Sequence, residues 1–341
     1  MCLERRGASD IPEGIHTLKH PAAALLNRIR RQGVPVVLRS APWTTEHLDS
    51  CVERGPHKSA MEHLSFLRDE FTDFARKGFW LVLPYREVRE LPGLRVSPLG
   101  VVPQDGRRPR VIVDYSYWGL NEDTVRLSDP QSMQFGRTNA RLQRQLAWHN
   151  PRHGPVAAYK VDISDGFYRV PLCTSGIPKL GVLLPPLLGD QESLVAFPLV
   201  LPMGWTESPP FFCKFTETAC DLTNSDFRDR VEYPWHPLED TAGEQDRIPQ
   251  VATTPVPKSH SPFMASAPLA YMDVYVDDFC GVGQDHPSYP LKAQRRALLH
   301  NIDKVFRPNA TTDSAYRKQP ISIAKRGCSV LPYQGMPWMG F

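Results

Sequence analysis

The sequence predicts an α+β fold in which short strands and amphipathic helices alternate along the chain. Runs of β-branched and aromatic residues separated by turn residues, such as FWLVLPY, LGVVP, RVIVDY and VAAYKVDI, are typical of strands. Apolar residues recur at helical spacing over residues 59–77, 208–222 and 291–306. Proline accounts for 34 of the 341 residues, so we expect few long helices.

The overall composition is typical of a globular protein. The 341 residues are enough for two or three domain-sized units or one elaborated fold with subdomains, and 41% hydrophobic residues is ordinary for a globular core. Seven cysteines without a C-x-x-C pair indicate neither a zinc ribbon nor a dense disulfide scaffold. Long apolar runs and a signal-peptide core are both missing, so we expect an intracellular protein, cytoplasmic, particle-associated or nuclear, with no membrane partner.

The first predicted helix, over residues 59–77, has recognisable start and stop signals. Ser59 and Glu62 have the spacing of a capping box, and Gly78 suits the end of a helix. The second has Ser208 as a candidate N-cap, followed by Pro209 at the first helical position. The Pro-rich stretch 232–269 has no apolar periodicity and is predicted to be a mobile insertion or loop.

Net charge alone does not identify a partner. The 40 Lys and Arg residues against 37 Asp and Glu residues give only +3, so a phosphate-binding surface must be a local patch. One such patch is QDGRRPR, in which Asp105 and Gly106 favour a hairpin turn and three arginines follow. For Arg107 and Arg108, solvated turn charges and contacts to phosphate are equally good interpretations.

Two adjacent aspartates interrupt YMDVYVDDFCG, a run that otherwise reads as a buried strand. At ~5 Å and an effective dielectric constant of ~20, Asp277 and Asp278 repel by roughly 3 kcal/mol, so a positive partner is expected nearby. A third acid, Asp162, lies within the strand-like KVDISDGFYRVPL. Three carboxylates on two strands can hold two divalent ions ~3.5–4 Å apart, the arrangement used for in-line phosphoryl transfer.

Five segments, in this order, resemble motifs of reverse transcriptases, with long-terminal-repeat retrotransposon polymerases as the nearest relatives. RPRVIVDYSYWGLN resembles their fingers segment, VDISDGFYRVPL their first aspartate motif and LPMGWTESPPFF the intervening nucleotide-site motif. YVDD looks like their catalytic turn, and PWMGF resembles the start of their primer grip. The resemblance implies RNA-directed DNA synthesis, with a primed RNA or DNA template and deoxynucleoside triphosphates as partners.

The resemblance also implies a set of metal ligands. Asp162 and Asp277 are the principal ligands, Asp278 completes the cluster, and the carbonyl of Ile163 adds an oxygen. Two Mg²⁺ ions suit this all-oxygen set, with Mn²⁺ as the alternative. For Asp165, a role in the turn at Gly166 is favoured over metal binding.

The nucleotide-binding residues come from the same resemblance. Phe167 aligns with the steric gate, where a bulky ring against the sugar C2′ excludes ribonucleotides. Arg110 matches the fingers arginine that grips the triphosphate with its planar fork. The backbone around Met203 and Gly204 shapes the pocket.

The chain departs from the family pattern at two places in the predicted nucleotide site. Met203 stands where glutamine is frequent, and Gln104 lies near the position of an expected fingers lysine. Both changes predict reduced nucleotide affinity. Lys325 lies near the position of a lysine that protonates the leaving pyrophosphate.

The resemblance gives a domain plan for a right-hand polymerase with an antiparallel palm sheet flanked by helices. Residues 1–57 form an N-terminal extension, 58–156 the fingers, and 157–341 the palm, with a return to the fingers near 171–199 and the insertion at 232–269. The chain ends where the primer grip begins, so we expect the thumb to be absent.

Two other interpretations stay open. In one, the chain is a catalytically inactive retroelement remnant or a nucleic-acid-binding module. In the other, it is the N-terminal piece of a longer polyprotein. Asp273, which alternates with Asp277 on one strand face, is expected to have a hydrogen-bonding role rather than to act as a fourth metal ligand.

Overall fold

The computed structural model describes residues 9–128, 133–186, 192–239 and 265–322, and the backbone of 327–330. The described part is mixed α+β, as predicted, with one five-stranded and one four-stranded sheet. The strands are β1 (Trp80–Pro84), β2 (Val96–Gln104), β3 (Arg107–Val113), β4 (Val156–Asp162), β5 (Gly181–Leu184), β6 (Leu194–Pro198), β7 (Ala270–Tyr275), β8 (Asp278–Gln284) and β9 (Gly327–Val330).

The α-helices flank these sheets, and short 3₁₀ turns connect several elements. The longest helix, α8, packs against β7, and α9 packs against α8. The helices are α1 (Ala23–Gln32), α2 (Thr45–Arg54), α3 (Lys58–Met61), α4 (Leu64–Arg76), α5 (Tyr85–Val88), α6 (Leu120–Asp123), α7 (Thr138–Trp148), α8 (Ser208–Asp229) and α9 (Leu291–Val305). No described helix is both long and apolar enough to cross a membrane.

The five-stranded sheet is built from two separate parts of the chain. Its order is β1, β6, β5, β2, β3, with β2 and β5 parallel and the other neighbours antiparallel. β2 and β3 form the hairpin predicted at Asp105 and Gly106, since Gln104 pairs with Arg107. β5 and β6 bring the chain back to this sheet after β4 has started the other one.

The four-stranded sheet is antiparallel and has the order β7, β8, β4, β9. The run around Asp277 is therefore a hairpin of two strands rather than one strand, because Tyr275 pairs with Asp278 across a two-residue turn. β8 is also paired with β4 along its whole length, from Val156 opposite Gln284 to Asp162 opposite Asp278.

The largest cluster of buried apolar side chains joins both sheets and also includes the N-terminal segment. Ile15 and Leu26 are fully buried in it, together with Leu99 of β2 and Met272 of β7. Burying a side chain of this size stabilises a fold by about 1.5–3 kcal/mol. The described part of the N-terminal extension therefore contributes to the same core as the sheets.

Two predicted helix starts are wrong in detail. Residues 59–77 form two helices, α3 and α4, and the Ser59 hydroxyl accepts a hydrogen bond from the Val101 N–H instead of capping a helix. Ser208 lies inside α8, where its hydroxyl donates to the Pro202 carbonyl at 2.6 Å. In both cases the serine hydroxyl forms a hydrogen bond with a backbone group outside the helix, and not the cap hydrogen bond that the local pattern predicts.

The start of the Pro-rich stretch is irregular, as predicted, but it is held against α9. His236 is buried and lies 3.0 Å from Asp303, while Arg296 contacts Glu239 at 2.6 and 2.8 Å. The described start of the stretch therefore has side-chain partners on α9, which the sequence did not predict. Residues 240–264 of the stretch lie outside the described part.

Candidate metal centre

The turn of the β7–β8 hairpin has an unusual backbone. Val276 has a φ of +57°, in the left-handed region that β-branched residues rarely adopt. Such a conformation costs about 1–3 kcal/mol and persists only where surrounding contacts impose it. Here the Asp277 carbonyl accepts a 3.1 Å hydrogen bond from the Ile163 N–H, which ties the turn to the end of β4.

This turn brings the three predicted carboxylates together. Asp162 ends β4 directly opposite Asp278, and Asp277 occupies the turn beside them. One carboxylate oxygen from each residue lies within 4.8 Å of the others. Asp162 is buried, at 3% exposure, whereas Asp277 and Asp278 are partly exposed. The cluster can therefore hold a metal ion approached from the open side.

One lysine partly offsets the three carboxylates. Lys160 lies on β4 two positions before Asp162, and its Nζ is 2.8 Å from Oδ2 of Asp278. Burial disfavours the charged amine, but the hydrogen bond to Asp278 and the nearby carboxylates outweigh it, so the pKa of Lys160 is raised.

The other oxygen of Asp278, Oδ1, is buried and has no hydrogen-bond partner among the described residues. A buried carboxylate oxygen without a partner is unfavourable and needs an explanation. The all-oxygen donor set fits a hard divalent cation, which would supply the missing partner.

A 3₁₀ turn, Gly166–Arg169, packs against the carboxylate turn. A Cβ added at Gly166 would lie 3.2 Å from the Phe212 ring and 3.7 Å from Cβ of Asp277, so there is little room for a larger residue. The Phe167 ring meets Phe212 edge-on, with centroids 5.0 Å apart. The Phe167 ring is therefore held against Phe212, which also borders Gly166.

Asp165 lies outside the carboxylate cluster. Its backbone is left-handed, with a φ of 55°, and its side chain makes no cap hydrogen bond. The carboxylate instead lies 3.8 Å from Lys318. The turn role that the sequence favours is therefore performed by the backbone.

The predicted nucleotide-site segment is fixed to the β2–β3 part of the molecule. Gly204 has a φ of +95°, and an added Cβ would lie 2.6 Å from the Val113 carbonyl oxygen at the end of β3. Asn121 donates to the Gly204 carbonyl at 3.0 Å and accepts from the Thr206 N–H at 2.9 Å. Met203 is left 53% exposed, so its side chain is available to a ligand.

Arg110 is not brought into the carboxylate cluster. It lies on β3, opposite Val102, and is exposed. The carboxylates belong to the other sheet. Arg108, also in the hairpin, forms an ion pair with Glu70 of α4. Arg107 is exposed.

Asp273 has the hydrogen-bonding role that the sequence favours. It is 2% exposed, and Arg141 binds both of its oxygens at 2.6 Å. Thr138 and Tyr271 donate to the same carboxylate at 3.1 and 2.9 Å. This network joins α7 to β7 and leaves Asp273 no place in the metal cluster.

Sequence reasoning missed Lys160 and Arg141. Lys160 shares a strand face with Asp162 because side chains two apart on a strand point the same way, and that alternation could have identified it. Arg141 gave no such signal, since its partner is distant in the chain. The predicted residues Lys325 and PWMGF lie outside the described part.

Comparison with known proteins adds no identification: no protein-family model matches the chain, and no curated protein matches it.

Proposed function

We propose that this chain is a template-directed DNA polymerase of the reverse-transcriptase type, which adds deoxynucleotides to a primer 3′-OH on an RNA or DNA template. The observation that carries the proposal is the convergence of Asp162, Asp277 and Asp278 at a strained turn. Carboxylates from two strands, with a buried unpartnered oxygen, suit divalent ions and two-metal phosphoryl transfer. The order of the five sequence motifs supports the same reaction.

The proposed roles follow the predicted residues. Asp162 and Asp277, with Asp278 and the Ile163 carbonyl, would hold Mg²⁺, two ions in the working enzyme, or Mn²⁺. When bound, the ions lower the pKa of the attacking 3′-hydroxyl and stabilise charge on the leaving pyrophosphate. Lys160 keeps Asp278 in place by pairing with one of its oxygens.

The remaining residues would position the nucleotide. Phe167, held by Phe212, would face the sugar and exclude a 2′-hydroxyl. Arg110 would grip the triphosphate with two parallel hydrogen bonds. The Met203–Gly204 backbone would line the pocket. In this proposal the five-stranded sheet belongs to the fingers and the four-stranded sheet to the palm.

The test is Mg²⁺-dependent incorporation of deoxynucleotides on a primed homopolymer RNA. Asp277→Asn should lower incorporation about 1,000-fold, because losing metal-held charge stabilisation costs several kcal/mol. Asp105→Asn, the same substitution in the turn of the other hairpin, is the matched control and should leave incorporation unchanged.

Extension by Asp277→Asn at the parental rate would refute the assignment. If the parent binds primed template but incorporates nothing at any Mg²⁺ or Mn²⁺ concentration, the inactive binding module becomes the better interpretation.

A further inference from the structure

A basic groove, whose lining includes none of the three clustered carboxylates, lies beside the Gly166–Arg169 turn. Its volume is about 490 Å³, within the range that holds a nucleotide-sized ligand. Its walls come from the end of α1, the end of α4, the segment 165–172 and the loop 312–318. We call it the basic groove because seven Lys and Arg side chains line it against three Asp.

Ion pairs between arginine and aspartate side chains form the buried floor of the basic groove. The Asp10 carboxylate forms ion pairs with Arg317 at 2.8 Å and with Arg169 at 3.4 Å. The Asp313 carboxylate forms ion pairs with Arg307 at 2.7 Å and with Arg317 at 3.3 Å. Three guanidinium groups thus share two carboxylates.

Arg169 is the most buried of these cations, at 3% exposure. Burial lowers its pKa to about 10, against the favourable effects of Asp10 and Asp165, and the neighbouring Arg317 and Arg307 act in the same direction as burial.

The rim of the basic groove carries cations that are available to a ligand. Arg31 and Arg76 are exposed, and neither has an acidic partner among the described residues. Lys318 lies 3.8 Å from Asp165, a distance that leaves its ammonium free to turn. Tyr316 is 49% exposed, and its ring centroid is 6.0 Å from the Arg76 guanidinium carbon.

We propose that the basic groove binds a chain of two or three phosphates, as free pyrophosphate or as part of a nucleotide, through Arg31, Arg76 and Lys318. Arginine forks grip phosphate oxygens bidentately, and an exposed tyrosine beside them offers a face on which a base can stack. The limited volume favours a nucleotide-sized anion over a nucleic-acid strand. This site needs no metal and does not depend on the proposed polymerase activity.

The experiment is calorimetric titration of the full chain with inorganic pyrophosphate in a chelator-containing buffer. The double variant R31E/R76E should bind at least tenfold more weakly than the parent. The double variant R28E/R68E places the same charges at exposed positions on the same two helices, outside the basic groove, and should bind as the parent does.

Further titrations separate the sources of phosphate. Tyr316→Ala should weaken binding of a deoxynucleoside triphosphate about threefold or more but leave pyrophosphate binding unchanged. Asp277→Asn should bind pyrophosphate as the parent does, which distinguishes this site from the carboxylate cluster.

Three results would overturn the proposal. The first is a parent that does not bind pyrophosphate. The second is equal loss in both double variants, which would indicate general charge attraction. The third is binding of a single-stranded oligonucleotide with a 5′-hydroxyl but not of pyrophosphate.

Discussion

The hairpins β2–β3 and β7–β8 both close with two-residue turns, but the kind of residue that adopts a positive φ differs between them. Asp105 and Gly106 close the first, and Gly106 adopts a φ of +64°, as glycine does at little cost. Val276 and Asp277 close the second, and there a valine takes the positive φ, at +57°. The first tip is exposed and basic, whereas the second carries carboxylates that meet a third from β4.

The difference shows where local preference was overridden. Tight hairpin turns favour glycine at positions of positive φ, so the first turn could form from its own sequence. The second is imposed by pairing with β4 and by the hydrogen bond from Ile163 to the Asp277 carbonyl. Strain of this kind tends to collect at functional sites, which agrees with the metal centre proposed there.

The largest expected effect on stability is the difference between substituting Asp273 and substituting Asp277, two aspartates of the β7–β8 hairpin. Asp273→Asn should lower the free energy of unfolding by about 3 kcal/mol, because it leaves Arg141 without its buried ionic partner. Asp277→Asn should not lower it, since that change removes repulsion between carboxylates. Urea unfolding of both variants measures this, and equal destabilisation would contradict the division between a structural and a functional acid.

The next effect concerns the β2–β3 hairpin and rests on the proposed function. Arg110→Ala should raise the KM for deoxynucleotides about tenfold with little change in kcat, as expected for the loss of a charge-assisted phosphate contact. Arg107→Ala changes an exposed arginine next to the turn of the same hairpin, which no motif matches to a triphosphate contact, and should have a smaller effect. Equal effects in steady-state kinetics would mean that the hairpin supplies only general positive charge.

A smaller effect tests the strain at Val276. At an ordinary strand position, a protein with alanine has a free energy of unfolding about 0.5–1 kcal/mol higher than one with glycine. At position 276 we expect the reverse, with Val276→Gly more stable than Val276→Ala by about 0.5–1 kcal/mol, because only glycine removes the cost of positive φ. The urea midpoints of the two variants give the comparison, and a more stable alanine variant would show that the turn relaxes.

An effect no larger than about 1 kcal/mol is expected at Gly106. An added Cβ meets nothing within 4 Å, so Gly106→Ala costs only the backbone conformation. We expect a loss of about 1 kcal/mol or less in unfolding free energy, with incorporation of nucleotides unchanged. A large loss of incorporation would mean that the tip of this hairpin takes part in the reaction.

The sequence predicted the elements better than their ends. Periodicity located β1, the β2–β3 hairpin, β4 and α9, because each has a pattern of apolar residues that its own segment supplies. It misplaced the roles of Ser59 and Ser208, whose hydroxyls bond to distant backbone groups. It also did not predict the contacts of His236 and Glu239, because their partners lie on α9.

The sequence by itself determined the α+β class and singled out three acids as an unusual set, because like charges within apolar strands need a counter-charge. Only the tertiary structure decided that Asp162 lies opposite Asp278, that Lys160 takes one of its oxygens and that the other is left without a partner. The tertiary structure also decided that Asp273 lies outside the cluster, because Arg141 of α7 binds its carboxylate. The physical reason is that charge balance depends on distances of a few ångströms between segments that lie far apart in the chain.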